Sequence, residues 1–248
     1  RNVKVPSNIH HIQGDRNNIK DIESIKGNFD VVIDFISYND KHTKLIIDSF
    51  PKSRYILIST AWKEIKYSIE QEIEHNYIKN KRLAEEVVIE SRNINVKNTI
   101  IRLPIIFGLN DHTNRTNFFR YKQNKVVYLT NPDTNVYFCW KSDVTDFIVN
   151  QILSEVDYYQ PIVYPSFYFN IKLSSYIEMH QSFEKKKYII KHIDRKEMLS
   201  NKIFRNFINT IAKDIYYPID IHGKSVMQID SLDRLNSIMR DLRVLEPL

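Results

Sequence analysis

The chain has 248 residues, of which 42% are hydrophobic and 27% charged, and it carries a formal net charge of +6. This composition excludes an intrinsically disordered chain and favours a globular protein that buries a core. No stretch of the sequence is long and apolar enough to span a bilayer, and the single cysteine, Cys139, excludes a disulfide framework within the chain, so the cytoplasm is the expected compartment.

Apolar runs typical of strands alternate with helical patterns as far as Gly108, and this alternation predicts βαβ units with a parallel sheet. Residues 53–60 form an apolar run that ends in the hydroxyls of Ser59 and Thr60, which predicts a buried strand. Because ligands bind outside the carboxyl ends of strands in open α/β sheets, Thr60 is expected to lie at a ligand-binding edge.

The segment from Tyr77 to Arg92 has the apolar spacing of a helix, with Glu85 and Glu86 expected on the side away from the apolar residues. Tyr77 and Lys81 are four residues apart and therefore share one face of that helix. A phenol with a pKa of about 10 becomes a useful acid or base at neutral pH when a nearby cation stabilises its phenolate. An exposed tyrosine and lysine on a solvated helix are the alternative.

After Gly108 the pattern loosens. It predicts a helix over 143–153, short strands over 162–164 and 168–171, a helix over 174–183, and a mainly helical remainder with a break at Pro218 and Gly223. The histidines lack metal-ligand spacing, so no metal site is predicted.

Several motifs occur in the order found in one family. They are Gly14-Asp15-Arg16, residues 30–37, Ile58-Ser59-Thr60, the Tyr77/Lys81 pair, residues 99–108, residues 138–144 and, more loosely, residues 229–233. In this combination the chain resembles the extended short-chain dehydrogenase/reductases, the NAD-dependent epimerase/dehydratase group that acts mostly on nucleotide sugars. The resemblance implies an α/β fold with a Rossmann-like, doubly wound parallel sheet and a small C-terminal α+β substrate lobe. Residues 1–135 would form a partial dinucleotide-binding domain, and residues 136–248 would complete the sheet and form the lobe.

The resemblance also implies roles for individual residues. Thr60, Tyr77 and Lys81 would be catalytic: Thr60 orients the substrate oxygen, Tyr77 exchanges its proton, and Lys81 lowers the pKa of the tyrosine. The cofactor, NAD or NADP, would contact Arg1, Asp15, Arg16, Phe35, Ile36, Ser37, Tyr77, Lys81, Leu103, Pro104 and Ile106. Trp62 and Arg115 would contact a nucleotide-linked substrate, and a homodimer is expected.

The sequence departs from the family at its start, because Gly14, Gly27, Gly108 and Gly223 are its only glycines and the glycine-rich turn that holds the pyrophosphate is absent. The third strand of the family corresponds to residues 8–13. Without the first two strands it would lack a neighbour, and the strand at 30–34 would keep a bare edge. The chain is therefore expected to be a fragment that lacks roughly 35 to 45 residues of a complete mononucleotide-binding half.

Other interpretations remain open. Asp15 suits a hydrogen-bonded turn, Pro104 explains a strand that becomes a loop, Trp62 suits a core, and Arg115 suits an ordinary surface. Residues 14–16 and 30–34 also resemble chloroplast stem-loop RNA-binding relatives with the same fold, and a cofactor-free remnant is a third interpretation. Acidic residues interrupt the basic cluster at 185–205, which favours a solvated surface over a nucleic-acid patch.

Overall fold

The computed structural model describes residues 6–61, 76–108, 126–129, 135–153, 160–165, 167–184, 187, 189–192 and 228–229. Its helices are α1 (Ile19–Ser24), α2 (Asp40–Ser49), α3 (Asn76–Ser91), α4 (Lys141–Leu153) and α5 (Leu173–Glu184). Its strands are β1 (Val31–Asp34), β2 (Arg54–Thr60), β3 (Thr99–Leu103), β4 (Ile105–Phe107), β5 (Val126–Leu129), β6 (Asn135–Trp140), β7 (Ile162–Val163), β8 (Phe167–Lys172), β9 (Ile189–His192) and β10 (Gln228–Ile229).

The chain divides into two compact units. The first comprises residues 1–59, 72–101 and 157–163, and the second comprises residues 60–71, 102–156 and 164–248. The first unit is an α/β layer structure, and the second combines mixed strands with α4 and α5.

The sheet of the first unit has the strand order β1-β2-β3-β7, in which β1 runs parallel to β2 and β3 parallel to β7. The first six residues of β2 are all buried, as expected for a central parallel strand covered on both faces. Helices α2 and α3 contact each other, and their apolar side chains join those of the sheet in one core. The buried members of this core are Ile22, Ile46, Tyr55, Leu57, Ala84, Val88 and Ile100.

Local sequence signals fix the connections around β1. Asn18 begins α1 by accepting a hydrogen bond from Lys20 N, and Asn39 begins α2 by accepting one from His42 N at 2.9 Å. Gly27, between α1 and β1, has a φ of +140°, a conformation that residues with a Cβ rarely adopt.

The second unit contains a sheet with the order β10-β8-β6-β4 and a two-stranded sheet of β5 and β9. Strand β6 pairs with β4 in parallel and with β8 in antiparallel orientation. Phe107, Phe138 and Phe169 pack edge to face in its core, where Tyr176 of α5 lies 5.0 Å from Phe138 between ring centroids.

The α/β architecture predicted from the sequence is confirmed. Some local predictions were wrong: residues 8–13 are exposed and form no strand, and Ile189–His192 and Gln228–Ile229 are strands where helix was expected. Residues 8–13 pair with no described strand, and an isolated extended segment has no ladder to stabilise it. The division of the chain at residue 135 stays a prediction. Within the described ranges, no helix has the length and apolarity needed to cross a membrane.

Candidate active site

Strand β2 extends past the end of β1 at the carboxyl edge of the sheet. The last pair in the β1–β2 ladder is Asp34 with Leu57, so Ile58, Ser59 and Thr60 continue beyond it. Residues past the end of a neighbouring strand keep backbone groups that are available to other partners. The sequence-predicted Thr60 is the last residue of this overhang and is half-buried.

Lys81 of α3 uses one of these backbone groups. Its Nζ donates a hydrogen bond to the carbonyl oxygen of Ile58 at 3.0 Å, and the residue is only 4% exposed. The same Nζ lies 5.8 Å from the centre of the Tyr38 ring, within the range of a cation–π contact. The ammonium that the sequence predicted to be catalytic is therefore buried beside the carboxyl end of β2.

Burial lowers the pKa of Lys81 to about 8. The negative charges of Asp34 and Glu85 act in the opposite direction by favouring the ammonium, while Arg16 adds to the lowering. A lysine with this pKa is mainly protonated at neutral pH and loses its charge a little above it. Such an ammonium suits the stabilisation of a neighbouring anion such as a phenolate.

Asp34, the last residue of β1, is the centre of a second polar group. Arg16 donates to its two carboxylate oxygens at 2.7 Å each, Tyr55 OH donates at 2.9 Å, and the Ile36 amide donates at 3.0 Å. Burial raises the pKa of Asp34, but these donors outweigh it and the pKa is lowered. Burial, together with the charge of Asp34, raises the pKa of Tyr55 well above its ordinary value.

Arg16, a predicted cofactor contact, is thus committed to Asp34 by both terminal nitrogens. Burial lowers its pKa, but the hydrogen bonds and charge of Asp34 outweigh this and raise it. Its Nε is buried and finds no acceptor among the described residues. Asp15 caps the turn before α1: its Oδ1 accepts from the Asn17 amide at 2.9 Å, and its own amide donates to Asp21 at 2.7 Å. This is the turn role that the sequence left open for Asp15.

The loop after β1 presents apolar side chains to solvent. Phe35 is 58% exposed, and Ile36 and Tyr38 are each 53% exposed. Ser37 is completely buried, and its hydroxyl is 2.6 Å from that of Thr43 at the start of α2. Phe35 and Ile36 therefore remain accessible to a ligand, whereas the side chain of Ser37 serves the loop itself.

The predicted cofactor loop at 103–106 lies in the second unit. Leu103 ends β3 and is buried, Pro104 interrupts the strand, and Ile106 is half-buried in β4. The preceding Arg102 donates to Tyr164 OH at 2.9 Å. The interruption follows from Pro104, which has no amide hydrogen for a strand ladder.

Three predicted site residues, Arg1, Trp62 and Arg115, lie outside the described residues. Tyr77 lies in the first turn of α3, where the structure describes the backbone. Among the described residues no group of histidine, cysteine and carboxylate side chains could hold a metal ion. The assignment of these residues to catalysis, cofactor or substrate stays a prediction.

The structure adds Glu85 and Ser59 to the site. Glu85 is fully buried, and Ser59 Oγ donates to its Oε1 at 2.5 Å. The expectation that Glu85 lies with Glu86 on the outer side of α3 was wrong, because only Glu86 is exposed. The sequence signal for a buried Glu85 was its spacing of four residues from Lys81, which places Glu85 and Lys81 on one face of the helix.

Solved structures share this fold at low sequence identity. L-threonine 3-dehydrogenase from Trypanosoma brucei is 12% identical, with a TM-score of 0.56 over 92% of this chain and 79% of that chain. RMD from Pseudomonas aeruginosa complexed with NADPH is 12% identical, with a TM-score of 0.58 over 96% of this chain and 89% of that chain.

UDP-glucose 4-epimerase from Thermus thermophilus, in complex with NAD, is 10% identical, with a TM-score of 0.57 over 75% of this chain and 73% of that chain. No protein-family model and no curated protein sequence matches the chain. The likeness to these structures shows that the fold is Rossmann-like.

Proposed function

We propose that the chain is an NAD(P)-dependent enzyme of the epimerase or reductase type, which acts on a nucleotide-linked sugar or a similar hydroxyl or keto substrate. The observation that carries this proposal is the buried ammonium of Lys81, bonded to Ile58 at the carboxyl end of β2 and one helical turn after Tyr77. The choice of cofactor is supported by structural neighbours solved with NAD or NADPH.

In this proposal, three residues have separate roles in proton transfer. Tyr77 exchanges a proton with the substrate hydroxyl, and Lys81 stabilises the phenolate that forms when the proton has left. Thr60, the last residue of β2, fixes the reacting oxygen through its own hydroxyl. The nicotinamide, when bound, supplies hydride acceptance and return.

The donors and surfaces of the first unit fit the nicotinamide-ribose part of such a cofactor. The Lys81 ammonium is a donor of the kind that ribose hydroxyls accept, and the exposed Phe35 and Ile36 offer apolar surface at the end of β1. The sequence contains no glycine-rich turn for the diphosphate, so the proposal assigns that part to no residue.

Titration of the 248-residue chain with NADH and with NADPH tests the proposal. We expect enhanced nicotinamide fluorescence and a raised melting temperature, because a ligand that binds only the folded state stabilises it. Lys81→Met should abolish both effects, whereas Lys79→Met, which changes an exposed lysine of the same helix, should leave them intact.

A folded chain that responds to neither dinucleotide would contradict the proposal. Affinity for RNA that falls steeply with added salt would instead favour the RNA-binding interpretation, because phosphate contacts release counterions. With NAD present, a thermal screen of nucleotide sugars would then identify the substrate class.

A further inference from the structure

Glu85 is a charged residue with no exposed surface, placed one helical turn after Lys81 on α3. Burying a carboxylate is costly unless the group is paired and hydrogen-bonded. Ser59 on β2 supplies one hydrogen bond at 2.5 Å. This bond satisfies one carboxylate oxygen of Glu85.

We infer that Glu85 is a positioning residue, which ties α3 to β2 beside the Lys81–Ile58 hydrogen bond and supplies a negative charge that keeps Lys81 in its ammonium form. Its importance for catalysis rests on the proposed function. The coupling between Glu85 and Lys81 does not depend on the proposed function, because it is argued from their four-residue spacing on α3 and their bonds to consecutive residues of β2.

The geometry places two helix-to-strand hydrogen bonds next to each other. Ile58 and Ser59 are consecutive on β2, and they bond Lys81 and Glu85 respectively. The two helix residues are four positions apart, which is about 6 Å along the axis. Two bonds at this separation fix both the rotation of α3 and its position along β2.

The charges that act on Lys81 come from three elements. Asp34 at the end of β1 and Glu85 on α3 favour the ammonium, and Arg16 in the loop before α1 opposes it. Arg16 is bonded to Asp34 through both terminal nitrogens, so the two opposite charges lie together and partly offset each other at Lys81. Asp34 has the larger influence on the protonation of Lys81 and Glu85 the next, so the removal of either negative charge should lower the pKa of Lys81.

The test is an NMR titration of protein labelled with ¹³C at the lysine Cε, in which the Lys81 signal is identified by its absence from Lys81→Met. In Glu85→Gln we expect the Lys81 midpoint to fall by about one pH unit, as for the loss of a nearby opposite charge. Glu86→Gln removes the same charge from the adjacent, exposed position and should leave the midpoint unchanged. Equal midpoints in the wild type and in folded Glu85→Gln would overturn the inference.

Two further variants separate the charge of Glu85 from its hydrogen bond and from its effect on folding. Ser59→Ala keeps the charge and should keep the Lys81 midpoint while lowering the melting temperature. If Glu85→Gln fails to fold, Lys81→Met gives the reciprocal measurement: the ¹³C-detected titration of Glu85 should move to higher pH, because the coupling of two titrating groups is mutual. An unmoved Glu85 titration would overturn the inference.

Neither titration needs a nucleotide, so the inference and the proposed function can fail separately. If NADH binds as proposed, the pH above which its affinity declines should be lower in Glu85→Gln than in Glu86→Gln. Loss of NADH binding in Lys81→Met together with an unshifted Lys81 midpoint in Glu85→Gln would contradict the inference and leave the proposed function standing.

Discussion

Arg16 and Asp34 form a two-pronged ion pair in which each terminal nitrogen of Arg16 donates to one oxygen of Asp34 at 2.7 Å. The side chain of Asp34 is 4% exposed and that of Arg16 is 17% exposed. The pair joins the loop before α1 to the carboxyl end of β1, at the edge of the sheet where ligands bind in this type of fold. The pair therefore fixes the carboxyl end of β1 at the candidate site.

Arg16→Met should destabilise the protein by about 3 kcal/mol, because it leaves Asp34 buried without its cationic partner. Denaturant unfolding monitored by circular dichroism would measure the loss. Lys44→Met, which breaks the exposed Lys44–Asp48 pair on α2, is the control and should cost less than about 0.5 kcal/mol. Similar losses in the free energy of unfolding would show that the buried Arg16–Asp34 pair stabilises the fold no more than the exposed Lys44–Asp48 pair does.

Asp34 should make stability depend on pH in the acid range. Its pKa in the folded protein lies below the ordinary 3.8, so the folded state binds fewer protons than the unfolded state around that pH. The resulting stability is present above pH 3.8 and is lost as the pH falls through the folded pKa. The free energy of unfolding should thus decline less steeply below about pH 4 in Asp34→Asn than in the wild type. Parallel pH profiles would contradict this assignment.

Local patterns predicted the elements that carry the site, whereas partners distant in sequence set its polar contacts. The apolar run of β2 and the periodicity of α3 are visible in a few consecutive residues, and both elements were predicted correctly. The Arg16–Asp34 pair joins residues eighteen positions apart, and no local pattern indicates it. Ser59 and Glu85 are separated by 26 positions, so the burial of Glu85 depends on the packing of α3 against β2.

The predicted strand at 8–13 shows the limit of a motif resemblance. A strand is stabilised by hydrogen bonds to a neighbouring strand, and its own sequence supplies only part of its stability. Asp15, which the resemblance places at the cofactor, makes the hydrogen bonds of a turn to Asn17 and Asp21, and its contact with the cofactor stays a prediction. A role that a family resemblance implies for a residue becomes specific only when the contacts of that residue are known.

Lys81 should make stability increase with pH in the alkaline range. Its folded pKa of about 8 is below the ordinary 10.5, so the unfolded state binds more protons between these values and the free energy of unfolding rises there. The full difference is on the order of 3 kcal/mol. Tyr55 and Cys139, whose pKa values are raised by burial, act oppositely above about pH 10 and about pH 9 respectively, so Lys81→Met is compared with the wild type between about pH 8 and 9. Lys81→Met should lack this rise, and a rise of equal size in that variant would contradict the assignment.

Tyr77→Phe should reduce turnover by roughly two to four orders of magnitude with little change in melting temperature, as expected when a general acid or base is lost. The rate would be followed through nicotinamide absorbance, with the nucleotide sugar that stabilises the chain most. Tyr77→Phe leaves the proposed cofactor donor Lys81 in place, so retained nicotinamide fluorescence in the variant would separate the loss of proton transfer from a loss of cofactor binding. Unchanged turnover in Tyr77→Phe would remove the proton-transfer mechanism.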